Sequence, residues 1–368
     1  MNYAIYNVFM PIYLDGIGYR GAALGTLLAL GPLVSMAAQP VWGMAGDRAK
    51  TKNDILRILF AGSGLAILLY PVSSNFFYLI AAISAFTFFQ SAINPLYDAI
   101  TLEYLETTRW NFGPIRLAGT FGFAAMAVIA GNLARHNIYH IFILYSAATA
   151  IAFASSFTLP RIKGHQSEGK RTGMWELFKN KELMLLTAFN LLVQTSLGFY
   201  YSFFPVYYRQ MGADNALVGW SMVISAMSEL PFLLFASRIF KKIPVKYILL
   251  VSGSILALRW FLMYRITDVY AILPVMALHG LSFIVFLYSM ATYISSSVPK
   301  ELRASGQALN WLIILGISRI SGSVIGGFLV DIAGIRKVFL YDSLFLLAGL
   351  MIFGTIFIAG DLRRKSPV

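Results

Sequence analysis

Apolar residues in this chain run in long blocks rather than alternating with polar ones, and short polar or Gly- and Pro-containing turns separate the blocks. Windows such as Ala22–Trp42, Ile80–Tyr97 and Phe339–Ala359 reach the roughly 20 residues that a helix needs to cross a bilayer's hydrocarbon. Twelve candidate spans are found, roughly at 1–14, 21–45, 55–72, 75–98, 114–134, 138–159, 183–207, 217–237, 246–264, 269–297, 305–330 and 338–360, the first of them short. The pattern predicts an all-α membrane protein of twelve transmembrane helices.

The longest polar stretch, "RIKGHQSEGKRTGMWELFKNKE" at 161–182, divides six windows from six. It reads as a linker with a short surface helix at Met174–Lys179, between bundles at 1–160 and 183–368. The halves repeat. "FMPIYLDGIG" at 9–18 matches "FFPVYYRQMG" at 203–212 with an offset of 194, which aligns Pro11 with Pro205 and carries Leu24-Gly25 onto Val218-Gly219. The seventh window opens near Leu183, far ahead of Pro205, whereas only ten residues precede Pro11. The expectation is that the natural chain begins earlier.

Composition narrows the class. The 368 residues are 58% hydrophobic and 12% charged, about half the charge of a typical soluble protein. There is no cysteine, so disulfides, thiolate metal sites and cysteine nucleophiles are excluded. The net charge of +13 raises the question of nucleic acid, and its distribution answers it. With the even-to-odd connections and both termini placed in the cytoplasm, and with Arg57 and Lys246, among the first residues of their windows, counted on the cytoplasmic side, 20 of the 29 Lys and Arg residues fall inside, 6 outside and 3 within spans. That asymmetry is an orientation signal for a multi-pass protein of the cell inner (plasma) membrane. Its partners are the bilayer and its anionic headgroups, with no nucleic acid.

Ionisable side chains inside apolar windows are expensive, so they normally face a protein interior or water. Asp98, Arg116, Glu229, Arg259, His279 and Arg319 are in that position. Arg319 could equally be a structural pairing group. Tyr97, Phe123, Trp260, Phe283 and Trp311 are candidate cavity liners. Gly31, Gly43, Gly119, Gly122, Gly322, Gly326 and Gly327 are candidate sites of close helix approach.

These features carry a resemblance. Parallel six-span repeats are the architecture of the major facilitator superfamily, whose sites lie at the midplane. "GMAGDRAKTK" at 43–52 resembles that superfamily's signature after the second span, which implies a gating role for Gly43, Asp47 and Arg48. "LYDAITLEYLETTRWNFGPIRLAGTFGF" resembles the lactose permease family, placing Asp98, Arg116 and Phe123 at the family's carboxylate, arginine and aromatic positions. An arginine can grip paired hydroxyls or a carboxylate. Phe123 stands where that family has tryptophan.

In "LRWFLMYR" and "ALHGLSF", Arg259 precedes His279 by twenty residues, again a spacing of that family. Met276 and Ser282 replace its lysine and glutamate, so Glu229 in "SELPF" is the expected substitute in proton handling. "SELP", "LRW", "LHGLSF" and "GQAL" are most similar to the branch that includes phenylpropionate permease.

The resemblance implies a functional monomer that takes up a small organic solute, such as a sugar, nucleoside or aromatic acid, by proton symport and alternating access. Asp98, Arg116, Phe123, Arg259, Trp260 and His279 would bind the solute, with Glu229, Asp98 and His279 handling the proton. The alternatives are a proton-driven exporter of lipophilic compounds and a non-transporting receptor. Gly113-Pro114 lies at the start of the fifth window rather than within it, which favours import. No phosphate-binding Gly-rich loop is present. His136, His140 and His165 fall in or beside loops without metal-ligand spacing. The expected driving force is a proton gradient, with no cofactor or metal.

Overall fold

The computed structural model describes residues 2–106, 108, 112–162, 174–299 and 302–365. Twelve helical rods correspond to the twelve apolar windows. In chain order they are α1 (Asn2–Gly16), α2 (Gly21–Arg48), α3 (Lys52–Ala66, continued by a 3-10 turn Ile67–Val72), α4 (Phe76–Gln90 and Ile93–Glu106), α5 (Phe112–His136) and α6 (His140–Ser155). A short 3-10 helix Met174–Lys179 follows, then α7 (Lys181–Gln210), α8 (Asn215–Lys242) and α9 (Val245–Arg265). α10 runs through Ile272–Met276, a 3-10 segment Ala277–Leu281 and Phe283–Ser297. α11 comprises Arg303–Trp311, a π segment Leu312–Ile317 and Ser318–Ala333. α12 is Ile335–Lys365. No strand occurs among the described residues. Nine of the rods are long and apolar enough to cross a bilayer among the described residues. Linker residues 163–173 lie outside the described residues.

The chain forms two compact units. One is Met1–Lys170 with Asp214–Val223, and the other is Arg171–Ala213 with Ile224–Val368. The first turns of α8 therefore belong to the first unit. There Asn215 Nδ2 donates to Ala134 O at 2.7 Å, and Arg135 pairs with Asp214 at 3.1 Å. Gly131 and Gly219 bring the two backbones together. A Cβ on Gly219 would sit 2.5 Å from Ala127 O.

The sequence repeat is also a repeat of hydrogen bonds. Tyr13 OH donates to Tyr70 O at 3.0 Å, and Tyr207 OH donates to Met263 O at 2.6 Å. Each bond ties the first helix of a unit to the end of the third. After each tyrosine the chain turns through a glycine in the left-handed region, Gly18 at φ 105° and Gly212 at φ 103°, where an L side chain would be strained. At the opposite end of the third helix, Lys52 pairs with Glu103 and Lys246 with Asp361. Lys52 and Lys246 are again 194 residues apart.

In the second unit, α7 and α11 touch backbone to backbone. A Cβ on Gly198 would meet Ser318 O at 2.5 Å, and one on Gly322 would meet Thr195 O at 2.2 Å. Small residues permit such approach where no hydrophobic force drives helices together. Gly322 and Gly326 thus match the sequence expectation. Gly31, Gly43 and Gly119 do not, since a Cβ on any of them would meet nothing within 4 Å. On α2 it is Gly46 that faces a neighbour, since a Cβ there would lie 3.1 Å from Leu96 Cδ1.

Candidate functional site

The irregular parts of α10 and α11 build a charged cluster inside the second unit. α10 loses its α-helical bonds over Ala277–Leu281, and a break of this kind frees backbone groups that need partners. Two serines supply them. Ser228 Oγ on α8 accepts from Gly280 N at 2.9 Å, and Ser252 Oγ on α9 donates to Leu281 O at 2.8 Å and Ser282 O at 3.1 Å. Gly280 is obligatory here, because a Cβ would fall 1.8 Å from Ser228 O. The break holds His279 between α8 and α9.

Arg259 Nη1 lies 3.0 Å from His279 Nδ1. A guanidinium nitrogen only donates, so Nδ1 accepts and the ring proton resides on Nε2. That nitrogen faces Tyr201 OH at 3.3 Å and Glu229 Oε1 at 3.5 Å. Glu229, His279 and Arg259 thus form a line from a part-open carboxylate to a buried cation. The Arg259 guanidinium carbon lies 4.5 Å from the Tyr200 ring centre and 5.0 Å from that of Trp260. Its Nε has no hydrogen-bond partner, and among the described residues no carboxylate pairs with it. Phe283 stacks on His279 with centroids 5.4 Å apart.

α11 adds a second cation. Its π segment Leu312–Ile317 inserts an extra residue into the helical register. Beyond it, Ser318 packs against Gly198 and the Arg319 guanidinium carbon stands 3.8 Å over the Tyr201 ring. A cation over an aromatic face gains about 0.5–2 kcal/mol. An arginine at the centre of a spanning helix costs roughly 2.5–3.5 kcal/mol or more, so the ring alone does not offset Arg319's charge.

Sequence reasoning missed Tyr201 on α7 and also Asp342 on α12. Asp342 accepts from Ser196 Oγ at 3.1 Å, and Ser196 in turn accepts from Trp260 Nε1 at 2.6 Å. Its signal was an acid inside an apolar window, in "LYDSLFLL". The chain of bonds fixes the Trp260 indole beside Arg259.

The candidate residues therefore divide. Arg259 and Trp260 are fully buried and His279 is 5% exposed, so in this conformation they form the base of the cluster rather than a surface for solute. The part-open groups are Glu229, Tyr201, Phe283 and Arg319. In the first unit, Asp98 on α4 and Phe123 on α5 are both half-buried. Arg116 falls in the second turn of α5, and its side chain lies outside the described residues, as does that of Asp47. Gly43 and Arg48 are exposed near the end of α2. Trp311 and Tyr97 are exposed as well. Among the described residues no three His, Cys, Asp or Glu side chains gather as a metal site would require.

The MFS_1 like family model matches residues 4–341. The transporter YwbF of Bacillus subtilis (strain 168) is 26% identical over 332 residues, covering 89% of this chain and 83% of that protein. The maltose permease of Geobacillus stearothermophilus is 26% identical over 334 residues, covering 90% and 85%. In fold, the crystal structure of a mutant of the nucleoside transporter NupG superposes with a TM-score of 0.88 at 18% identity, covering 97% of this chain and 96% of that one.

Proposed function

Because the chain belongs to the MFS_1 like family, a family of multi-pass membrane transporters rather than enzymes, we propose that it is a proton-coupled symporter. It takes up a small organic solute of the sugar, nucleoside or aromatic-acid class. It works as a monomer, in the inner membrane, with both termini cytoplasmic and no cofactor beyond the proton gradient. The observation that carries this reading is the line Glu229–His279–Arg259.

Glu229 is the proton acceptor of that line, being a carboxylate 22% exposed on one side and 3.5 Å from the His279 N–H on the other. Ionised, it attracts His279 Nε2–H and holds the imidazole between carboxylate and guanidinium. Protonated, it loses that attraction, and His279 is left to Tyr201 and Arg259. The proton thereby changes which contacts α8 and α10 make. A ligand or proton shifts a two-state protein only through such differential contacts. Alternating access then follows from rocking of one bundle against the other. Asp98, Arg116 and Phe123 are assigned to solute binding from the first unit, and Gly43, Asp47 and Arg48 to the gate. The maltose permease and the nucleoside transporter among the similar proteins fit a polar organic cargo.

Reconstitution in proteoliposomes with an acid exterior tests this. Accumulation of a sugar, nucleoside or aromatic acid that collapses with a protonophore is the expected result. Extrusion of lipophilic dyes under the same gradient would assign export instead, and no gradient-dependent movement of either kind would end the transport mechanism.

A further inference from the structure

We propose that the solute is an organic monoanion, a carboxylate on a flat apolar body, and that Arg319 is the residue that meets its charge. The inference rests on the symport reading and adds to it the class of cargo. Arg319 sits within the apolar span Leu309–Ala333, is partly open and has no ion pair among the described residues. The Tyr201 ring lies 3.8 Å from its guanidinium carbon and covers one face of the guanidinium, whose donors make no hydrogen bond to any described residue. In the same unit, the fully buried Arg259 has no carboxylate partner among the described residues and keeps Nε unbonded. Among the described residues the acid nearest this pair of membrane-embedded cations is Glu229, which contacts His279, while Asp342 is bonded to Ser196.

A planar fork of donors matches a carboxylate. The flanking rings suit an apolar body, since Tyr201 and Phe283 stand edge to face with centroids 5.9 Å apart. Glu229 limits the anion's charge. It reaches the nitrogen of His279 that Tyr201 OH also faces, so a dianion such as a phosphate monoester would meet repulsion there. Protonation of Glu229 removes that negative charge as the monoanion arrives. One proton and one monoanion then cross together, with no net charge moved.

Binding to the purified full-length protein in detergent tests the class. Titrations use benzoate, 3-phenylpropanoate and gluconate, each against its own primary amide. Benzoate or 3-phenylpropanoate is expected to bind about tenfold or more tighter than its amide, as a charge-assisted pair requires, and a preference shown by the polyhydroxylated gluconate alone would overturn the flat apolar body. Arg319→Gln should bring acid and amide within about twofold, while Arg319→Lys, which keeps the charge and loses the fork, should retain part of the preference. In proteoliposomes, accumulation of the preferred acid should follow the pH gradient and ignore a valinomycin-imposed potential.

Equal binding of acid and amide, an undiminished preference in Arg319→Gln, uptake that follows the potential, or no binding of any acid overturns the proposal. Should Arg319→Gln fail to fold, the acid-to-amide ratio of the wild type and of Arg319→Lys decides it. Gradient-driven uptake of neutral nucleosides or disaccharides alone would overturn this inference and leave the symport reading standing. Acid-selective binding without any gradient-driven uptake would do the reverse.

Discussion

The two units share a frame and differ in what fills it. At the ends of their helices they are nearly superimposable in chemistry: Tyr13 and Tyr207 make the same bond, Gly18 and Gly212 the same turn, and Lys52 and Lys246 each pair with a carboxylate. In the middle they diverge. In the register that aligns Lys52 with Lys246, Leu65 in the first unit corresponds to Arg259 in the second. The interior of the first unit packs rings: the centres of Tyr6 and Phe86 lie 4.7 Å apart, and those of Tyr70 and Phe142 5.8 Å apart. The second unit buries Arg259 and His279 with Trp260 in its interior. Duplicated helices keep the contacts that orient them, because a lost end contact costs stability in either copy. The interior of one copy is then free to exchange aromatic packing for charge.

Substitutions can break that comparison. Gly280→Ala should have the largest effect, because a Cβ 1.8 Å from Ser228 O and 2.7 Å from Glu229 N forces α8 and α10 apart. Overpacking of this kind costs about 1–3 kcal/mol or more, so a lowered thermal midpoint in detergent and lost uptake are expected. Ser196→Ala should come next. It strands the Trp260 indole N–H and removes the Asp342 contact, at about 1–3 kcal/mol, visible in the same melt and in Trp fluorescence.

Tyr13→Phe and Tyr207→Phe test the shared frame. Each deletes one hydroxyl bond, at about 0.5–1.5 kcal/mol, and the two should destabilise alike while transport persists. Unequal losses would show that the frame is not equivalent. Gly43→Ala should have the smallest effect, within about 0.5 kcal/mol, because its Cβ enters open space.

The number and order of the helices could be read from the sequence, because a span's length and apolarity are properties of composition. The interruptions in α10 and α11 could not. A helix that is apolar on all sides carries no periodic signal, so nothing in "MALHGLSFIV" or "LIILGI" marks where α-helical bonding gives way to 3-10 or π. Those interruptions decide where His279 and Arg319 point. Glu229, Arg259 and His279 could each be identified as charge within an apolar window, and the structure brings all three together. Their burial could not be foreseen, since spacing does not say which helix face a side chain takes. Arg259 and Trp260, expected to touch solute, are enclosed. Arg319, left open between pairing and function, is partly exposed beside Tyr201. Asp342 was overlooked although the criterion that found Glu229 also selects it.

The account turns on Glu229 as the proton acceptor of the second unit, and Glu229→Gln tests this most directly when exchange and accumulation are measured on the same proteoliposomes. Glutamine keeps the size and a hydrogen-bonding oxygen but cannot ionise. The account predicts that solute counterflow, which needs no net proton movement, survives in the variant, while accumulation driven by a pH gradient falls to the level of protonophore-treated wild type. Wild-type accumulation by Glu229→Gln under the same gradient would contradict it.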